Sequence, residues 1–403
     1  MPKYIYRAMN PSGQRVNGEY EANNKVQVMD MLSANGLYPL KIEEVSNKSL
    51  SEINLSFSKK VKVKDISIFC RQFYTMLDSG LSMNNALNIL SKQLTNPRLK
   101  AAVEQIEDDV KKGEELSSAM KKFKDIFPNL LISMVESGEL SGRLDEVMLR
   151  MSTHFEKENK INNKIKSAMI YPMVLAITAA VSVTVIMTFV MPTFLGMFEE
   201  TGTELPFITT ALIATSNFMT NKWYILLIMI LGFIIGFSYF KRTDTGDEIL
   251  SNIKLKIPAI NKLNKMIIVS RFTRTLSTLL KCGVSLTQSL EIISDIVENK
   301  VAKSEIMSIR ENVLKGEGIY SSLKNSEIFP EMMASMVKIG EESGSLDGIL
   351  EKTADFYDDD LEQTIQTTVS LMEPAMIVAM ALIIGTIVLA IIIPMFTMYG
   401  NIG

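Results

Sequence analysis

Two kinds of hydrophobic pattern alternate along this chain. Over 65–167 and again over 241–371, apolar residues recur every three or four positions among charged ones, as in helices that bury one face. In the first block Ile66, Phe69, Phe73 and Leu77 form one stripe, and Met83, Ala86, Leu87, Leu90 and Leu94 a second. Leu99, Val103, Ile106 and Val110 form a third, and Leu144, Val147, Met148, Met151 and Phe155 a long fourth. Gly80, Pro97, Gly113 and Pro128 punctuate them as helix breakers and starters do. The pattern predicts a compact bundle of about six helices in each block.

The second kind of pattern is the unbroken apolar run. Ser167 to Phe198 holds no Asp, Glu, Lys or Arg, and a bilayer core needs only about 20 apolar residues in helix. Spans are predicted at 168–191, at 222–240 with Trp223, Tyr224 and Tyr239 as interfacial aromatics, and at 372–396. Residues 1–45 differ from both patterns. YIYRAM alternates as a strand, Pro11 to Gly13 reads as a turn, VNGEYEA as a return strand, 24–34 as a helix and 36–42 as a last strand. The predicted fold class is therefore mainly α: an integral membrane protein with two homologous cytoplasmic helical-bundle domains, three transmembrane helices and a small N-terminal α/β cap. A linker at 46–64, with Lys59, Lys60, Lys62 and Lys64, reads as solvated, with contact to anionic lipid as the alternative.

Charge sets the orientation. Arg150, Lys157, Lys160, Lys164 and Lys166 precede the first span and Lys241, Arg242, Lys254 and Lys256 follow the second. The loop at 192–221 carries only Glu199, Glu200 and Glu204. The positive-inside rule places the N-terminus and both bundles in the cytoplasm, and the loop and the 397–403 tail outside. The polar opening MPKYIYRAMN predicts no cleavable signal peptide, and Cys70 and Cys282 read as reduced packing residues. The net charge of −3 gives no sign of nucleic-acid binding.

The chain also repeats itself. GELSGRLDEV, from Gly138 to Val147, returns as GEESGSLDGI from Gly340 to Ile349. The register extends to Arg71 and Arg274, to KGE at Lys112 and Lys315, to Phe127-Pro128 and Phe329-Pro330, to Pro172 and Pro374, and to Pro192 and Pro394. The second unit is the first one, span included. Trp223 to Phe240 is then the return span that puts both bundles on one side.

The repeated phrase reads as a corner between two helices. Gly138 and Gly340 permit a close helix approach or a left-handed cap, Gly142 and Gly344 free the turn, and Leu144 and Leu346 open the next helix. Ser141 and Ser343 are expected to accept from that helix's first N–H groups. Glu139 and Glu341 are either dipole partners of the same N-terminus or contacts for another protein. Pro172 and Pro374 read as helix starters, with Glu373 at the interface or facing another helix, and a polar lock between subunits as the alternative. Pro192 and Pro394 are expected to end their spans.

Little catalytic chemistry is on offer. No glycine is followed by lysine, so a phosphate-cradling loop with its lysine is excluded. The single histidine, His154, excludes a multi-histidine metal site and is expected at the surface or its boundary. The acidic groups Glu136, Glu139, Asp145 and Glu146, and Asp355 with Asp358 to Asp360, lack the spacing of a calcium loop and read as solvated faces or docking surfaces. No cofactor or metal is expected.

Taken in order, these features resemble the inner-membrane platform protein of type IV pilus and type II secretion machines: cap, two bundles with G-E-x-S-G-x-L in each, and YP and EP at the first and third spans. The resemblance implies a non-enzymatic homo-oligomer of the bacterial cytoplasmic membrane. It would engage a cytoplasmic hexameric ATPase, other inner-membrane components, and the pilins or pseudopilins drawn from the bilayer. Carried over by motif, the working positions are Gly138, Glu139, Ser141, Gly142 and Leu144, their counterparts Gly340, Glu341, Ser343, Gly344 and Leu346, and Pro172, Glu373 and Pro374. The second corner departs in having Glu342 and no arginine matching Arg143. Pilus, secretion and DNA-uptake systems remain alternatives within the resemblance. A transporter is the alternative from another class, although the spans offer mainly Ser, Thr and Gly near the midplane.

Overall fold

The computed structural model describes residues 3–9, 15–22, 25–45, 60–194, 196, 206–241 and 243–401. The expected turn at Pro11 to Gly13, the linker over 46–59, and Glu199, Glu200 and Glu204 lie outside the described residues.

The cap forms by itself. Strands β1 (Lys3–Met9), β2 (Arg15–Glu21) and β3 (Tyr38–Val45) make an antiparallel sheet in the order β2-β1-β3, with helix α1 (Lys25–Ala34) before the last strand. Tyr4 and Ala8 share one face of β1 and close over Val28 and Leu32 of α1 in a small core.

The remainder is a second unit, with one core shared by both repeats. The first bundle contains α2 (Val63–Asp78), α3 (Met83–Gln93), α4 (Pro97–Lys111), α5 (Leu116–Lys121), α6 (Asn129–Ser141) and α7 (Leu144–Ala168). Helix α8 (Ile170–Val185) and a π-helical turn at Ile186–Val190 continue the line of α7, so that Leu144–Phe194 is long and apolar enough to cross a membrane. Then come α9 (Phe207–Asn221), the span α10 (Trp223–Phe240), and α11 (Asp244–Lys256). The second bundle repeats the first as α12 (Pro258–Lys281), α13 (Leu286–Ile296), α14 (Lys300–Leu314), α15 (Ile319–Leu323), α16 (Glu331–Ser343) and α17 (Leu346–Asn401).

Matching residues do matching work. Asn96 and Asn299 cap α4 and α14, each side chain accepting from the second and third backbone N–H groups of its helix. Phe69 meets Phe127 at 5.7 Å between ring centroids, and Phe272 meets Phe329 at 4.7 Å. Arg71 pairs with Glu156 at 2.8 Å and Arg274 with Asp358 at 2.5 Å, so each bundle ties its first helix to its last.

The prolines behave differently from expectation. Pro374 and Pro394 lie inside α17, which runs on through both, and Pro192 is likewise followed by helix to Phe194. Pro172 is the third residue of α8 and fits its first turn. A proline interior to a helix removes one N–H, and a spanning helix survives if another donor reaches the freed carbonyl. Helix α9, hidden within the expected external loop, supplies such donors. Pro394 leaves the Ala390 carbonyl without its usual donor four residues on, and Thr209 donates to it at 2.8 Å. In the π-helical register, where the Met191 N–H reaches Ile186, the corresponding donor for Met187 would come from Pro192. Ser216 donates to the Met187 carbonyl at 2.5 Å instead. Thr209 and Ser216 lie about 10 Å apart along α9, close to the usual spacing of packed helices, so α9 lies across the two spans as a tie.

Candidate functional site

Each corner is built from backbone geometry that only glycine supplies. Helix α6 ends on Gly142 at φ 68° and α16 on Gly344 at φ 66°, both left-handed. The Arg143 N–H bonds to the Gly138 carbonyl at 2.9 Å and the Gly142 N–H to Glu139 at 3.3 Å, a Schellman pair. Ser345 with Gly340 at 3.1 Å and Gly344 with Glu341 at 3.3 Å repeat it. A Cβ on Gly138 would stand 3.0 Å from Val147 Cγ2 and 3.3 Å from Leu144 Cα; on Gly340 it would stand 2.8 Å from Leu346 Cδ1. The helices on either side of each corner therefore cross at a contact that needs the missing side chain.

The serines act backward. Ser141 donates to the Ser137 carbonyl at 2.8 Å and Ser343 to Gly340 at 3.4 Å, and α7 has no side-chain cap. Their hydroxyls satisfy carbonyls at the end of the helix they terminate.

The glutamates serve a helix other than the expected one. The half-buried Glu139 carboxylate accepts from the N–H groups of Leu116 at 2.6 Å and Ser117 at 2.9 Å, the start of α5. Glu341 accepts from Ile319 at 2.6 Å and Tyr320 at 3.3 Å, the start of α15. Neither α5 nor α15 has a side-chain cap from its own N-cap residue. The carboxylate thus supplies both the acceptor and the negative charge that a helix N-terminus favours. The other repeated motif delivers that N-terminus: Gly113 at φ 93° and Gly316 at φ 91° end α4 and α14 and turn the chain toward the corner. Leu144 and Leu346 pack half-buried against the core.

The two outgoing helices meet along a polar seam. Lys157 pairs with Asp355 at 2.7 Å, Lys160 with Glu362 at 3.2 Å, and Lys164 also with Glu362. Arg274 reaches Asp355 at 2.7 Å. Burial pushes the Asp355 carboxyl up, but the hydrogen bonds and charges of Lys157 and Arg274 outweigh it and hold the group below its ordinary value. Glu362 is held low chiefly by the hydrogen bond from Lys164. Where the seam reaches the apolar runs, Tyr171 donates to Glu373 at 3.1 Å. Glu373 therefore faces another helix of its own chain, while Pro172 is buried and Pro374 exposed.

His154 is not at the surface. It is 8% exposed and faces Lys157, Glu158, Ser270, Arg271, Arg274 and Asp358, with no hydrogen-bond partner on Nδ1 among the described residues. Burial first, and the charges of Arg274 and Arg271 second, lower it from 6.5 to about 4. Periodicity could not reveal this, because the wall that buries His154 comes from the second repeat. Among the described residues no cluster of three or more His, Cys, Asp or Glu could hold a metal. The arrangement offers two braced corners and two long helices.

Comparison with known proteins agrees with this arrangement. A family model described as type II secretion system (T2SS), protein F matches residues 69–192 and 272–394, one match per repeat, and its N-terminal domain model matches 1–43. A type IV pilus assembly protein PilC from Thermus thermophilus is 32% identical over 405 residues, covering 100% of both chains. A second PilC, from Pseudomonas aeruginosa, is 32% identical over 92% of this chain and 98% of its own. A type II secretion system protein F from the same organism is 29% identical over 100% of both.

Proposed function

The chain belongs to the type II secretion system protein F family, and from that premise we propose that it is a non-enzymatic platform of the bacterial cytoplasmic membrane for assembly of type IV pilus subunits. The observation that carries this reading is the continuity of each braced corner with its span. Leu144–Phe194 and Leu346–Phe396 are each 51 residues, about 75 Å of helix, whereas the bilayer core is about 30 Å thick. Each helix therefore reaches from a corner deep in its bundle to the far side of the membrane. A push on either bundle would move the outer ends of both spans, which α9 ties together.

The work would come from a cytoplasmic hexameric ATPase and pass to pilins leaving the bilayer. Lysine and arginine placement supports cytoplasmic bundles and an outside C-terminus. Self-association would set α10, none of whose described apolar window is buried by its own chain, against a second copy. Since Glu139 and Glu341 are occupied internally, partner contact at the corners falls to their neighbours. Leu140, 84% exposed, stands where the second corner has Glu342, so the two corners would take different partners.

Removing the chain from its own cell tests this. Surface fibres should disappear while pilin accumulates in the membrane. The second reading, a secretion pseudopilus, is supported by the protein F relatives, and retention of fibres with loss of secreted proteins would select it.

A further inference from the structure

Helices α11 and α12 form a hairpin with a composition unlike the rest of the second bundle. From Ile249 to Leu290 there is no Asp or Glu, and Lys254, Lys256 and Lys262 cluster around the turn at Ile257 and Pro258. All three lysines are exposed and form no ion pair among the described residues, whereas Lys265 nearby is held by the Glu327 carbonyl at 2.5 Å. Between them stand exposed isoleucines: Ile253 at 47%, Ile257 at 40% and Ile260 at 42%. A soluble surface would not ordinarily gather these at one tip.

Two observations fix the height of this tip. Helix α12 runs antiparallel to α17, with Ser270 and Arg274 bonded to Asp358 and Lys281 paired with Glu351. From Arg274 back to Pro258 is about 24 Å along α12, and from Asp358 forward to Glu373 is about 22 Å along α17. The turn is thus level with Glu373, where the third apolar run begins. Independently, Lys254, Asn264 and Ile267 line one cleft of about 260 Å³ with Ile165 of α7, and the charge-free run of the first span begins at Ser167. The tip is therefore continuous with the membrane surface formed by both spans.

We infer that the α11–α12 tip is an interfacial anchor that binds anionic phospholipid in the cytoplasmic leaflet, its isoleucines seated at the acyl boundary and Lys254, Lys256 and Lys262 on headgroup phosphates. Isoleucine at this depth is favoured by burial, and lysine near an anionic surface contributes about fivefold in partition per residue. The anchor holds the second bundle at a fixed height over the bilayer. This does not depend on which fibre the protein assembles.

The test uses the full chain with Cys70→Ala, Cys282→Ser and Ile257→Cys, labelled with an environment-sensitive fluorophore and reconstituted into two sets of vesicles. One set is phosphatidylcholine alone and the other contains phosphatidylglycerol; both carry lipids spin-labelled near the headgroup. Quenching and a blue-shifted emission are expected with phosphatidylglycerol, weakened by salt and lost on adding Lys254→Glu, Lys256→Glu and Lys262→Glu. Those side chains are exposed, so the triple variant should reconstitute as well as the parent. Equal quenching in phosphatidylcholine alone would overturn the charge recognition. Water-like emission in both sets would overturn the anchor altogether.

Discussion

Tyr171 and Glu373, which occupy the same place in the two repeats, are hydrogen-bonded to each other at 3.1 Å, and each immediately precedes a proline. The duplication has turned a repeated position into a cross-repeat bond at the edge of the apolar runs. Tyr171→Phe removes the donor and leaves the carboxylate there without it. Thermal unfolding in detergent should show a lower midpoint for Tyr171→Phe, and Glu373→Gln, which can still accept, should show a smaller drop.

The corner glutamates should behave as helix caps. Glu139→Ala strips two acceptors from the start of α5 and Glu341→Ala two from α15, each costing about 1–3 kcal/mol. Hydrogen exchange should rise first at Leu116 and Ser117 in one variant and at Ile319 and Tyr320 in the other. Uniform exchange across the bundle would contradict the cap.

Thr209→Val with Ser216→Ala should loosen the outer ends of the spans, because the carbonyls of Ala390 and Met187 lose the donors that replace proline's missing N–H. Distances between spin labels on the first and third spans should broaden in the double variant and stay narrow in the parent.

Acid should open the seam between the repeats. His154 is neutral when folded, with its value lowered from 6.5 to about 4. Folding therefore loses stability as pH falls through that window, by about 3 kcal/mol at most. Asp355 and Glu362 are also held low, so their contribution, present above the ordinary carboxylate range, is lost on further acidification. The unfolding midpoint should fall from pH 6.5 toward pH 4, and less steeply in His154→Gln.

Much of this architecture was legible in the sequence, and the failures share a cause. The bundle helices follow from local apolar spacing, the spans from local composition, and the corner glycines from a turn that demands positive φ at Gly142 and Gly344. The target of Glu139 lies at Leu116, in another helix, and local spacing offers only the nearest N-terminus or an outside partner. The burial of His154 is not local, because its cover comes from Arg271 and Arg274. Pro374 and Pro394 depart from a steric rule that holds for an isolated helix. Thr209 and Ser216 escaped notice because two hydroxyls seven residues apart mean little until the carbonyls freed by Pro192 and Pro394 are placed beside them.

In the proposed function each corner passes motion from a bundle to its span. Gly142→Ala or Gly344→Ala forces a side chain into left-handed backbone at a cost of about 1–2 kcal/mol, which the fold should tolerate. Gly142→Pro or Gly344→Pro cannot adopt that backbone at all. The most direct test is the number of surface fibres on cells carrying each proline variant at unchanged membrane abundance. Fibres are expected to be lost from both, and normal fibre numbers from both would show that the corners pass no motion.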